Sequence, residues 1–152
     1  MMTCLSSCSG DREPVFSEFV DIPSSGWDAP LYCDFATARR DSAMFADSAR
    51  RYDVILVVRH TEAYPFADLY LSLASVPEAE LPSERRIVLA KEGGTRVGIN
   101  AHGIYTVADT IAREIALPQL FNLKVSQAMR RDALEGIVNV GVVILPSLHR
   151  AK

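Results

Sequence analysis

Two strand-length apolar runs stand in the middle of the chain, Val54–Val58 and Leu69–Leu73, joined by a connector that contains Pro65. In the first, Val54, Leu56 and Val58 share one face and Ile55 and Val57 the other. Both faces are therefore apolar, which predicts a strand in the interior of a sandwich. In the second, Leu69, Leu71 and Leu73 alternate with Tyr70, Ser72 and Ala74, which predicts one buried face. Further alternation predicts strands over Val15–Ile22, over Ile87–Ala90 and from Val138 to Ile144. Another is predicted around Leu31, Cys33 and Phe35, with Tyr32 and Asp34 opposite. Leu120–Gln127 adds one more, with Phe121, Leu123 and Val125 inward.

Pro23 to Gly26, the proline-containing stretch Val76–Glu84 and Lys91 to Gly94 punctuate these runs as turns. Val107, Ile111 and Ile115 recur at spacing four, and on propensity the pattern predicts a helix over Asp109–Leu117 that ends before Pro118. Ala128–Gly136 is expected to hold a helical turn closed by Gly136. Thr37 to Arg51, charged and alanine-rich, reads as a short helix or a long inter-strand loop. Trp27, the single tryptophan, is expected to cover the core. The whole predicts an all-β, antiparallel, jelly-roll-like sandwich of about eight strands with at most one or two short helical turns.

Length and charge narrow the function. A chain of 152 residues suits one domain with a substantial core. We divide it into residues 1–13 (signal remnant and tether), 14–146 (the sandwich) and 147–152 (a tail). With 16 Lys and Arg against 19 Asp and Glu, the formal charge of −3 gives no electrostatic reason to expect a nucleic-acid partner. No apolar stretch approaches the ~18–20 residues of a spanning helix.

The densest group of functional side chains, Arg59, His60, Thr61, Glu62 and Tyr64, follows the first central run. His60 and Glu62 would share a face if the chain stayed extended there. No HExxH, GxSxG or phosphate-binding glycine pattern occurs, so no catalytic residue, metal site or cofactor is expected. Cys4 and Cys8 lack the second pair or histidine that a zinc site needs. Leu5-Ser6-Ser7-Cys8 instead has the form of a bacterial lipoprotein cleavage box, with an aliphatic residue three before the cysteine and small residues between. Only seven residues precede Cys8 and none is basic, so this reading expects a truncated signal peptide. An ordinary N-terminus is the alternative.

Several blocks together resemble the gliding-motility lipoprotein family GldH of Bacteroidetes. They are Arg59-His60-Thr61, Tyr64-Pro65-Phe66, Leu69-Tyr70-Leu71, the Gly98 to Tyr105 stretch, and Gln127-Ala128-Met129-Arg130 with Leu134, Gly136-Ile137 and Val140-Gly141. The resemblance implies a non-enzymatic cell-envelope lipoprotein, lipid-anchored to a membrane through Cys8, whose partners are envelope gliding and secretion proteins. It also implies a compact β-sandwich and moves Ile104–Leu117 toward strand. Acylation would hold the domain by buried area, about 0.8 kcal/mol per methylene. We expect the partner-binding surface at Arg59, His60, Tyr64 and Phe66. The alternative is a carbohydrate-binding module presenting Trp27, Tyr64, Phe66 and Tyr70 to sugar rings; burial of those rings would remove it.

Overall fold

The computed structural model describes residues 12–36, 50–76, 79–117 and 122–148. Within them lie β1 (Phe16–Asp21), β2 (Trp27–Asp28), β3 (Tyr32–Ala36), β4 (Tyr52–His60), β5 (Asp68–Val76) and β6 (Glu84–Val88). The order continues with β7 (Ile99–Ala101), β8 (Ile104–Ile115), β9 (Asn122–Gln127), β10 (Ala133–Leu134) and β11 (Ile137–Pro146). A five-stranded sheet has the order β1-β11-β4-β8-β7, a four-stranded sheet has β3-β9-β5-β6, and β2 pairs only with β10. All the pairings are antiparallel. Counting only strands of five residues or more, the first, eighth, third and sixth form one sheet. The second, seventh, fourth and fifth form the other, which is jelly-roll order.

β4 is a central strand, and its even-numbered side chains from Tyr52 to Val58 point into the space between the sheets. There they meet Leu69, Leu71 and Leu73 of β5, Leu123 and Val125 of β9, and Val140, Val142 and Ile144 of β11. Its other face is apolar for a separate reason: Val57 joins Val143 and Leu145 in a second cluster flanked by Phe19 and Ile55. The two apolar faces read from Val54–Val58 therefore belong to two distinct clusters. Trp27 is fully buried over the first, and its indole N–H donates to the Leu31 carbonyl at 2.9 Å.

Register gives the sandwich two poles. Phe16 pairs with Ile144, Tyr52 with both Pro146 and Ile115, so these four ends meet at what we call the near pole. Asp21, His60, Tyr105 and Ile137 gather at the far pole. Across the sheets, Arg85 of β6 grips Asp109 of β8 through Nε–Oδ2 at 2.6 Å and Nη2–Oδ1 at 3.0 Å.

Four local expectations are corrected. Asp109–Leu117 is not a helix, because Ile104–Ile115 forms the twelve-residue β8. A spacing of four keeps side chains on one face of a strand as well as of a helix, so the period could not discriminate. β8 also carries extra residues opposite β4: Thr110 pairs with Ile55 and Ala112 with Val54, leaving Ile111 bulged. A second irregularity follows, where Glu114 takes a positive φ of 54°.

Ala128–Gly136 holds no helical turn. Its first amide donates to the Tyr70 carbonyl, Arg130 adopts a φ of 58°, and Ala133 and Leu134 pair with Asp28 and Trp27. The strand expected at Ile87–Ala90 lies earlier, at Glu84–Val88, because the Leu89 and Ala90 amides both turn to the Ala67 carbonyl. Leu31 is exposed rather than inward, just outside β3. Phe121 and most of Thr37 to Arg51 fall outside the described residues.

Leu56 has no solvent exposure and sits mid-strand in the larger core. Leu56→Ala is expected to cost about 2–5 kcal/mol in urea unfolding, from lost transfer energy plus the cavity left behind.

Candidate functional site

The segment after β4 is held by backbone bonds before any side chain acts. The Thr61 amide donates to the Gly136 carbonyl at 2.8 Å, and the Tyr64 amide donates to the Thr61 carbonyl at 3.2 Å. The Thr61 hydroxyl accepts the Ala63 N–H, closing a tight local turn. Gly136 has a φ of 88°, and a Cβ placed on it would lie 2.1 Å from the Tyr64 nitrogen. No larger residue lets these two stretches of main chain approach so closely.

That docking buries the side chains expected to face a partner. His60 and Tyr64 are both 0% exposed. Tyr64 donates its hydroxyl to the Asp68 carbonyl at 2.6 Å, and its ring meets Phe66 edge-on at 5.8 Å between centroids. Burial pushes the Tyr64 phenol far above its ordinary range. Arg96 reaches in from the β6–β7 connection and donates Nη2 to the carbonyls of Tyr64 (2.8 Å) and Glu62 (3.2 Å).

His60 stacks on Tyr105 at 5.5 Å and places Nε2 3.1 Å from the Val97 carbonyl. A carbonyl can only accept, so Nε2 carries the proton and Nδ1 is left as a lone pair with no hydrogen-bond partner. Burial lowers the His60 pKa most; the Val97 carbonyl opposes that, and the Arg96 charge adds to it. Glu62 is exposed in the turn, so the same-face pairing with His60 is not formed. The strand ends at His60, and extension stops with it.

The expected four-residue surface is thus divided. His60 and Tyr64 fasten the interior of the far pole, while Arg59 and Phe66 stay partly exposed. Each of the latter forms an arginine–phenylalanine stack: Arg59 lies 4.5 Å from the Phe19 ring centroid, and Arg131 lies 5.1 Å from that of Phe66. Trp27 and Tyr64 are closed to a sugar ring, which removes half of the carbohydrate platform. Cys33 is free and buried, and burial pushes its thiol up to about 11, away from reactivity. Among the described residues, no three His, Cys, Asp or Glu side chains gather as a metal site. Cys8 and Cys4 lie outside the described residues.

Sequence reasoning missed two fasteners. Gln127 donates Nε2–H to the carbonyls of Arg131 (2.8 Å) and Trp27 (3.3 Å) and accepts the Met129 N–H at 2.9 Å. Its phase with Leu123 and Val125 was the available signal that it points inward. At the near pole Asp53, also buried, accepts Arg12 Nη1 (2.6 Å), the Ser147 hydroxyl (2.7 Å) and the Glu114 N–H (2.9 Å). Burial alone would raise the Asp53 pKa, but the Glu114, Ser147 and Arg12 donors outweigh it and hold the carboxyl below its usual value.

Comparison with known proteins adds the following. Residues 14–144 match the family model described as GldH lipoprotein. No curated protein matches the chain. Among solved structures, a coat protein dimer of Tobacco streak virus is 10% identical, with 90% of this chain and 89% of that chain covered and a TM-score of 0.31. A Turnip yellow mosaic virus structure is 9% identical, with 91% and 82% covered and a TM-score of 0.33. Likeness at that level carries no argument about function.

Two measurements test the far pole as a packed unit. Gly136→Ala and Gly103→Ala both place Cβ at a positive φ, but Gly103 has open space around it. Gly103→Ala is expected to cost roughly 1 kcal/mol and Gly136→Ala several times more by urea unfolding, the difference being the collision with Tyr64. Because the folded His60 pKa lies below its unfolded value, its contribution to stability is full above about pH 6.5 and is lost as pH falls from there. His60→Gln is expected to flatten the stability profile in that window, while the Asp53 contribution persists until pH drops into the carboxylate range.

Proposed function

Because the chain belongs to the GldH lipoprotein family, as a gliding-motility-associated lipoprotein of the cell envelope, we propose that it acts without catalysis, by presenting a rigid sandwich to other envelope proteins. The observation that carries this reading is the use to which the family-like blocks are put. His60, Tyr64, Gln127 and Gly136 all spend their chemistry on holding the far pole together. None is left to bind or activate a small substrate.

Cys8 is the proposed acylation point, and residues 9–13 the proposed spacer between lipid and fold. The proposed contact surface is the partly exposed remainder of the original four residues, Arg59 and Phe66, with their stacking partners Phe19 and Arg131. Arginine and aromatic side chains are the types that most often dominate protein interfaces. The partners are gliding and secretion proteins of the same envelope, and no nucleic acid is among them.

In the native host, Cys8→Ser is expected to abolish fatty-acid labelling, release the protein from the membrane fraction and stop gliding. Arg59→Glu combined with Phe66→Ala is expected to keep the label and a cooperative melt while reducing co-purification of envelope gliding proteins. A wild-type chain that takes up no label would overturn the anchor. Undiminished co-purification by the double variant would overturn the surface.

A further inference from the structure

Asp53 lies at the start of β4, and its principal charged partner comes from outside the sheets. Arg12 stands four residues after Cys8 and three before Val15, whose amide begins the β1 pairing by donating to the Ile144 carbonyl. Besides Asp53 at 2.6 Å, the Arg12 guanidinium donates to the Pro146 carbonyl at 3.2 Å. The incoming chain is therefore pinned at the near pole before it enters a strand.

We propose that this clamp is a mount that holds the near pole against a lipid surface. The proposal rests on the reading of Cys8 as the anchor. With Arg12 fixed, four residues limit the anchor to at most about 14 Å from the clamp, whereas release back to Val15 would allow about 25 Å. The nine residues of β4 extend about 30 Å in the direction of the far pole. The clamped leash spans less than half of the strand, which keeps the near pole at the bilayer and directs the far pole away from it. The released one nearly matches the strand.

The surface of the near pole suits that position. Val76 at the end of β5 and Leu148 just after β11 are 65% and 72% exposed, the two most exposed of the large hydrophobic side chains described. Leu148 is held there by its neighbour, since the Ser147 amide donates to the Arg51 carbonyl and its hydroxyl to Asp53. Among the described residues there, exposed or half-exposed Arg50, Arg51 and Arg113 are matched in number by Glu13, Glu80 and Glu114, so these side chains bring no net charge to a headgroup layer. Aliphatic tips of this kind can settle into the interface without a large electrostatic term. The clamp thus assigns the tether end to lipid and leaves the arginine–phenylalanine stacks of the proposed contact surface free.

The test supplies the anchor chemically. Cys8 of a Cys4→Ser chain is coupled to maleimide-headgroup lipid in phosphatidylcholine vesicles, the Cys33 thiol being buried. A click-attached fluorophore is placed through p-azidophenylalanine at position 148 or, at the far pole, in place of exposed Ile99. Nitroxide headgroup lipids then quench whichever pole faces the bilayer. Quenching at 148 is expected to exceed that at 99 several-fold. The contrast is expected to narrow in Arg12→Gln, whose leash approaches the length of the strand. It is expected to collapse when about eight Gly and Ser residues are inserted between Gly10 and Asp11, which makes the leash longer than the strand and leaves the clamp and fold intact. Equal quenching at the two positions in the unextended chain overturns the proposal, and so does a contrast that survives both changes. Because the lipid is attached in vitro, either outcome stands apart from whether the cell acylates Cys8.

Discussion

β4 buries both of its faces, and each end of the strand carries a buried polar side chain that must find partners. Asp53 at one end and His60 at the other are the consequence. A buried carboxylate or imidazole is costly unless its hydrogen bonds are made within the protein. Asp53 meets that requirement with Arg12, Ser147 and the Glu114 amide, while His60 meets it at Nε2 through the Val97 carbonyl and leaves Nδ1 without a partner. Those partners come from four different parts of the chain. One strand thereby organises both poles: the chain entry is tied down at one, and the loops that carry the family-like blocks are packed at the other.

Much of this arrangement was legible in the sequence. The double-faced apolar pattern of Val54–Val58 placed β4 inside the sandwich, and the alternation in β5 and β9 marked their buried faces. His60 was also readable, since it keeps the even phase of Val54, Leu56 and Val58; chemical interest in the side chain obscured its position. β8 was not readable from its period, because a spacing of four fits either a helix or a strand, and its bulges depend on pairing with β4. The two- and three-residue strands β2, β7 and β10 have too few positions to show any period. The burial of Tyr64 was hidden for another reason: it follows from the contact of its main chain with Gly136, which lies 72 residues away in sequence.

The same facts bear on function. A histidine followed by a glutamate and a tyrosine looks like the beginning of a catalytic set. Here the imidazole is kept neutral by burial and by Arg96, the glutamate faces solvent, and the phenol is committed to a main-chain carbonyl. Side chains so fully engaged inside the fold give shape and stiffness to a surface made by their neighbours. For a gliding-motility-associated lipoprotein, such stiffness supports the proposed reading of a domain that works through its contacts.

The claim underlying all of this is that the far pole is an integral part of the packed domain. Native-state hydrogen exchange measures it directly. The amides of Thr61, Tyr64, Val97 and Met129 should exchange only as fast as those in the middle of β4, through global unfolding. Exchange at the rate of the open turn at Gly103 would show instead that these segments are loosely attached, and would contradict the account.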